Sequence, residues 1–175
     1  MWLKAILGGR RYRVRFDTEL PNPGAISAGG QHLLVLNPAA WSEAIYDKWL
    51  LQREHLHPVP FCIENWETWS WLCCKAVGAH EVGHARFSGT PPKDRMLARV
   101  VNALEDQRVE YGMAARYPVL TPYFQLVGDA QWADLDPIPE RDTNTPFAVL
   151  QACLIYRWEH DVPAMHEVTD RARSS

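Results

Sequence analysis

Residues 79–87 read AHEVGHARF. Two histidines stand four apart, and a glutamate follows the first directly. On an α-helix, positions i and i+4 lie on one face, one turn apart. His80 and His84 can therefore offer imidazole nitrogens to a single ion. Zinc takes such nitrogens at about 2.0–2.1 Å, and a catalytic zinc takes three protein ligands plus a water. Glu81 lies next to the first ligand, where its carboxylate can accept that water's proton and later pass it to a leaving group. Each residue of the HExxH spacing thus has a chemical reason for its type and place. The pattern predicts His80 and His84 as metal ligands and Glu81 as the catalytic general base.

The surroundings strengthen this reading. A helix is expected over 64–87, and from Trp71 to Ala79 only Lys75 is charged, which marks a helix buried on most sides. Two imidazoles and a carboxylate without partners would be costly to desolvate there. Gly78 and Gly83 each cost about 1 kcal/mol of helix propensity. Close backbone approach around a site would explain both.

A third ligand must come from another element. The stretch VVNALEDQRVEYG (100–112) lies on the next expected helix, 93–116. Projected at about 100° per residue, Leu97, Val100, Val101, Leu104 and Tyr111 share an apolar face. Glu105 falls on its flank, while Asp106 falls on the opposite side with Asn102 and Glu110. A carboxylate at a core boundary needs a partner, so the projection favours Glu105 over Asp106. Arg108 projects near the middle of the apolar face, as a salt-bridge partner or as a group that orients a ligand or substrate. Asn102 either supports a ligand or is a polar surface residue. Cys73 shares a face with His80 but lies about 10 Å away along the axis, too far to share an ion. Cys62, in PFCIEN, does not resemble the cysteine motif of peptide deformylases.

His80-Glu81-x-x-His84 followed by Glu105 resembles the gluzincin branch of zinc metallopeptidases, the thermolysin-like class. HEVGHARFSG with NALEDQRVE is similar to an HExGHxxF/NxxEDxRxE pattern of bacterial and phage metallopeptidase-like domains. Similar patterns occur beside von Willebrand A domains in proteins of the cobaltochelatase T-subunit type. The resemblance covers residues 79–110. It implies His80, His84 and Glu105 as zinc ligands, Glu81 as general base, and a zincin fold with a small sheet above the motif helix. It also implies an extended peptide bound along an edge strand, for which the run at 32–36 is the candidate. One departure is clear. Thermolysin-like enzymes carry an aspartate four residues after the ligand glutamate, buttressing the first histidine. Here that position is Val109, which leaves Asp106, Glu110 or no residue for the task. Tyr111, Tyr117, Tyr156, His160 and His166 are unranked candidates for stabilising an oxyanion.

The elements that must position these residues read as α+β, mostly helical, in a single domain over 1–175. A β-rich part, 1–38, holds strands at 11–17 and 32–38, with the turn-rich PNPGAISAGG between them. A helical part, 39–165, holds helices at 39–52, 64–87, 93–116, 121–132 and 145–159. The tail, 166–175, is expected to fray.

The chain has 175 residues, 47% of them hydrophobic and 22% charged, as in a globular protein. With 18 basic and 21 acidic residues, nothing points to nucleic acid or an anionic membrane as partner. No apolar run approaches the roughly 20 residues that span a bilayer, and MWLKAILGGRR lacks a convincing signal-peptide pattern. The four cysteines show no metal or disulfide spacing and read as reduced thiols in a cytoplasmic protein. The tryptophans at 66, 69 and 71 read as core packing, with an aromatic substrate wall as the lesser alternative.

The expected activity is zinc-dependent peptide-bond hydrolysis on a peptide or protein substrate, with a zinc-bound water and Glu81 as base. The alternative is a non-catalytic zinc-binding assembly module that acts with a protein partner such as an ATPase.

Overall fold

The computed structural model describes residues 12–27, 32–90 and 92–134. Strands β1 (Tyr12–Phe16), β2 (Gly24–Ser27) and β3 (His32–Leu36) form one sheet in the order β1-β3-β2. β1 runs parallel to β3, and β2 runs antiparallel to it. Among the described residues four α-helices follow: α1 (Glu43–Gln52), α2 (Trp66–Phe87), α3 (Arg95–Arg116) and α4 (Thr121–Asp134). The architecture is α+β and mostly helical, with one small sheet. The helix expected at 145–159, the tail and Cys153 lie outside the described residues.

The run at 32–36 is the central strand rather than the edge. Leu34, Val35 and Leu36 are all buried, and a strand apolar on both faces belongs where both are covered. With partners on either side, β3 has no edge to offer a peptide. The edge strand packed against α2 is β2, inside the segment that reads as a turn. Asn37 fixes its approach: its side chain donates to the Leu20 carbonyl at 2.8 Å and its backbone N–H donates to the Pro23 carbonyl at 2.9 Å. At Gly24 the backbone crosses α2 so closely that a Cβ would lie 2.5 Å from Val77 Cγ1 and 3.2 Å from Glu81 Cγ. Only glycine fits there without displacement.

α2 begins at Asn65, whose side chain accepts from the Thr68 N–H at 2.9 Å. Such a cap is worth about 1 kcal/mol. Its apolar residues enter two clusters. Trp69, Leu72, Cys73, Cys74 and Val77 pack with β3, α1 and α4. Trp69 lies among Trp41, Tyr46 and Trp49 with ring centroids 5.5–6.1 Å apart, a range in which aromatic pairs attract. Ala79 and Val82 pack with Met113, Leu120 and Phe124. Trp69 is thus core, whereas Trp71 is half-exposed against Phe16, with Lys75 over its ring. Burial pushes the Cys74 thiol up to about 11 and the Cys73 thiol up as well, the latter helped by Cys74 beside it.

α3 meets α2 through Val109 and Met113, both fully buried. A Cβ at Gly83 would lie 2.4 Å from Val109 Cγ1 and 2.9 Å from Met113 Cγ, so the missing side chain is what lets the helices touch. Gly78 is different: its nearest neighbour, Leu34 Cδ2, is at an ordinary 3.5 Å. Three members of the apolar stripe expected to face the core are exposed instead. Leu97, Leu104 and Tyr111 are 52%, 49% and 54% exposed. Among the described residues, no helix is long and apolar enough to cross a membrane.

Candidate metal centre

His80, Glu81 and His84 sit in the last two turns of α2, where it lies under β2 and against α3. The imidazoles meet at their tips, with 2.9 Å between the two Nε2 atoms. Asp106, from α3, closes the group: its Oδ1 lies 3.0 Å from His84 Nε2 and 3.7 Å from His80 Nε2. These three residues are the set among the described residues whose ligand atoms all fall within 4.8 Å of one another. A tetrahedral ion at about 2.0–2.1 Å from each donor holds its donors roughly 3.3 Å apart. The three separations bracket that value, and two nitrogens with one carboxylate oxygen suit zinc while leaving a position open. The residues present therefore fit the ion that the sequence implies.

Glu105, expected as the third ligand, is not part of that set and is paired with an arginine. Its carboxylate takes Arg108 in a fork, Nε to Oε2 at 2.7 Å and Nη2 to Oε1 at 2.5 Å. The projection erred in its choice of inner face. It turned the apolar stripe toward the core, whereas Gly83 draws in the opposite face, with Val109, Met113, Asn102, Asp106 and Glu110. Val109 has no polar side-chain atom to buttress a histidine and instead packs against Gly83. The expected ligand-and-buttress spacing nevertheless appears one residue later, with the two acids exchanged. Asp106 stands at the ligand position, and four residues on, Glu110 Oε1 accepts from His80 Nδ1 at 2.8 Å. A histidine that binds metal through Nε2 carries its proton on Nδ1, and a carboxylate there fixes that tautomer.

His84 finds a hydroxyl instead: its Nδ1 lies 2.7 Å from Ser88 Oγ. Ser88 was not anticipated. It caps α2, its N–H donating to the His84 carbonyl at 2.9 Å. Its place four residues after His84 was the available signal. Asn102 donates to Asp106 Oδ2 at 3.3 Å and so holds the carboxylate's other oxygen. Arg108 proves to be a half-exposed ion-pair partner rather than a buried one.

The charges of the site act on one another. Burial is the largest influence on His80 and favours its neutral form, but Glu110, Asp106 and Glu81 outweigh it and leave the ring more basic than usual. Burial raises Glu81 above the ordinary carboxylate range; His80 and His84 oppose that rise and Asp106 adds to it. Of the oxyanion candidates, Tyr111 is exposed on the outer stripe. Tyr117 accepts from Arg86 Nη1 at 2.8 Å. Tyr156, His160 and His166 lie outside the described residues. No family model, curated protein or solved structure matches this chain.

Proposed function

We propose that the chain is a zinc-dependent metallopeptidase whose ion is held by His80, His84 and Asp106, with Glu81 as general base. The observation that carries this reading is the convergence of three ligand atoms from two helices at separations an ion would impose, beside a carboxylate made more basic by burial. Zinc held there would supply Lewis acidity, polarising a peptide carbonyl and acidifying water. Glu81 then takes a proton at its carboxylate and gives it up to the departing amine. Glu110 keeps the Nδ1–H tautomer on His80, so that its Nε2 lone pair faces inward, and the Ser88 oxygen can accept from His84 Nδ1–H in the same sense. β2 runs over Glu81 as the sheet's edge, and an extended peptide pairing with its outer side would bring a carbonyl toward the site. Such an arrangement would match the one implied by the motif's resemblance, with β2 in the role of the substrate strand.

The deciding experiment combines zinc content with hydrolysis of a peptide library by wild type and Glu81→Gln. The reading expects stoichiometric zinc in both and turnover in the wild type alone. Full activity in Glu81→Gln would overturn the mechanism. The outward apolar stripe of α3 is the observation that favours a non-catalytic, partner-binding module; that alternative expects zinc in both proteins and turnover in neither.

A further inference from the structure

The sheet has a second edge, on the side away from β2. Among the described residues β1 pairs with β3 alone. Its other side leaves a row of backbone N–H and C=O groups open, the template on which a further strand pairs. Arg13, Val14, Arg15 and Phe16 are all exposed. The register sets their faces. Val14 lies opposite Leu34 and Phe16 opposite Leu36, and both leucines stand within 4.0 Å of where a Cβ on Gly78 of α2 would lie. Val14 and Phe16 therefore point to the helix side of the sheet. They overhang it: Phe16 meets Trp71 with ring centroids 5.9 Å apart, and both rings stay half-exposed.

Arg13 and Arg15 point to the opposite face. Their cross-strand neighbours there are Leu33 and Val35, neither of which can balance a guanidinium. Arg13 has no ion pair among the described residues. Arg15 meets Asp17, two residues on, at 2.7 Å; such an exposed pair is worth little in water and exchanges readily. An acidic cross-strand partner for these arginines can come only from the open side of β1.

We propose that β1 docks an extended segment of a partner protein in which apolar and acidic residues alternate. The apolar residues lie beside Val14 and Phe16 over Trp71, and the acidic ones beside Arg13 and Arg15. Backbone pairing supplies affinity, and the alternation supplies selectivity. A second copy of this chain is a poor occupant. An antiparallel pair of β1 strands centred on Val14 sets Arg13 opposite Arg15, and like charges directly opposite destabilise. A lipid surface offers no ladder to the open backbone groups. The docking edge stands apart from the metal centre and holds whether or not that reading does.

The test is fluorescence anisotropy of a short labelled peptide that alternates glutamate with valine, titrated with the full chain. The same peptide with lysine for glutamate is the comparison. Wild type should prefer the glutamate peptide by about tenfold or more. A protein carrying Arg13→Glu and Arg15→Glu should reverse that order, a gain of binding that misfolding cannot produce. Phe16→Ser with Trp71→Ser should weaken both peptides. Hydrogen exchange should show the amides of residues 12–16 protected when the glutamate peptide is bound. No saturable binding by wild type up to about 1 mM would overturn the proposal and leave the arginines as guards against edge-to-edge aggregation. An unchanged preference in the charge-reversed protein, or protection that spares residues 12–16, would overturn it as well. So would a wild type that sediments as a dimer held through β1, or one that binds phosphatidylserine vesicles through these residues in place of the peptide, since either gives the edge another occupant.

Discussion

In the proposed mechanism Glu81 is the residue on which catalysis would turn, and its surroundings suit a base better than a ligand. Burial makes it more basic than an ordinary carboxylate, while Gly24 lets the edge strand lie against it. Glu81→Gln keeps the size and loses the base. Hydrolysis should fall by about 10²–10⁴-fold with zinc content unchanged, as peptide assays and elemental analysis would read. The histidines carry a pH dependence of definite sign. His80 without metal is more basic than usual because its carboxylate neighbours outweigh burial. Its protonated form therefore stabilises the metal-free fold below the ordinary imidazole pKa, and that contribution is lost as pH rises through the raised value. Zinc must displace this proton, so zinc affinity should fall as pH drops between about 8 and 5. Glu110→Gln removes a group that raises His80, and should move the midpoint of that fall to lower pH. An unmoved midpoint in zinc titrations would separate Glu110 from His80. At this scale the sequence was most readable where spacing alone constrains geometry, as in His80-Glu81-x-x-His84. It was least readable where two acids are adjacent, because Glu105 and Asp106 differ by one step of helix rotation, and only the neighbouring helix decides which of them faces in.

The contact between α2 and α3 makes that decision, and Gly83 makes the contact. Gly83→Ala would force its Cβ to within 2.4 Å of Val109 and 2.9 Å of Met113. A loss of about 1–3 kcal/mol in denaturant unfolding is expected, together with weaker metal binding as Asp106 is pushed from the histidines. Gly78 meets nothing closer than 3.5 Å, so Gly78→Ala should gain roughly 0.5–1 kcal/mol of helix propensity. Equal effects of the two substitutions would contradict this division. Helix boundaries were readable to within a few residues, since caps and periodicity are local. The inner face of α3 was not. Hydrophobicity pointed to Leu97, Leu104 and Tyr111, but the packed face is built from Val109 and Met113 against a bare glycine, and its polar members are recruited by the histidines. β2 escaped notice for a related reason: a four-residue strand with glycine at its start reads as a turn until the helix beneath it is known.

Across the whole molecule, the aromatic core of α1, α2, α4 and β3 anchors one end of the motif helix, and α3 completes the site at the other. The outward stripe of α3 contributes little to the fold by itself. Replacing Leu97 and Leu104 with serine should change unfolding free energy by no more than about 0.5 kcal/mol per site. Losses of 2 kcal/mol or more in chemical denaturation would place those side chains inside a packed core. The central claim, however, is that two helices assemble a metal site from His80, His84 and Asp106. Elemental mass spectrometry of the protein purified with zinc supplied, as wild type, His84→Ala, Asp106→Ala and Glu105→Ala, tests it most directly. The account predicts about one zinc per chain in wild type and Glu105→Ala, and none in His84→Ala or Asp106→Ala. Zinc retained in Asp106→Ala but lost in Glu105→Ala would contradict the assigned ligand set, and no metal in the wild type would contradict the site altogether.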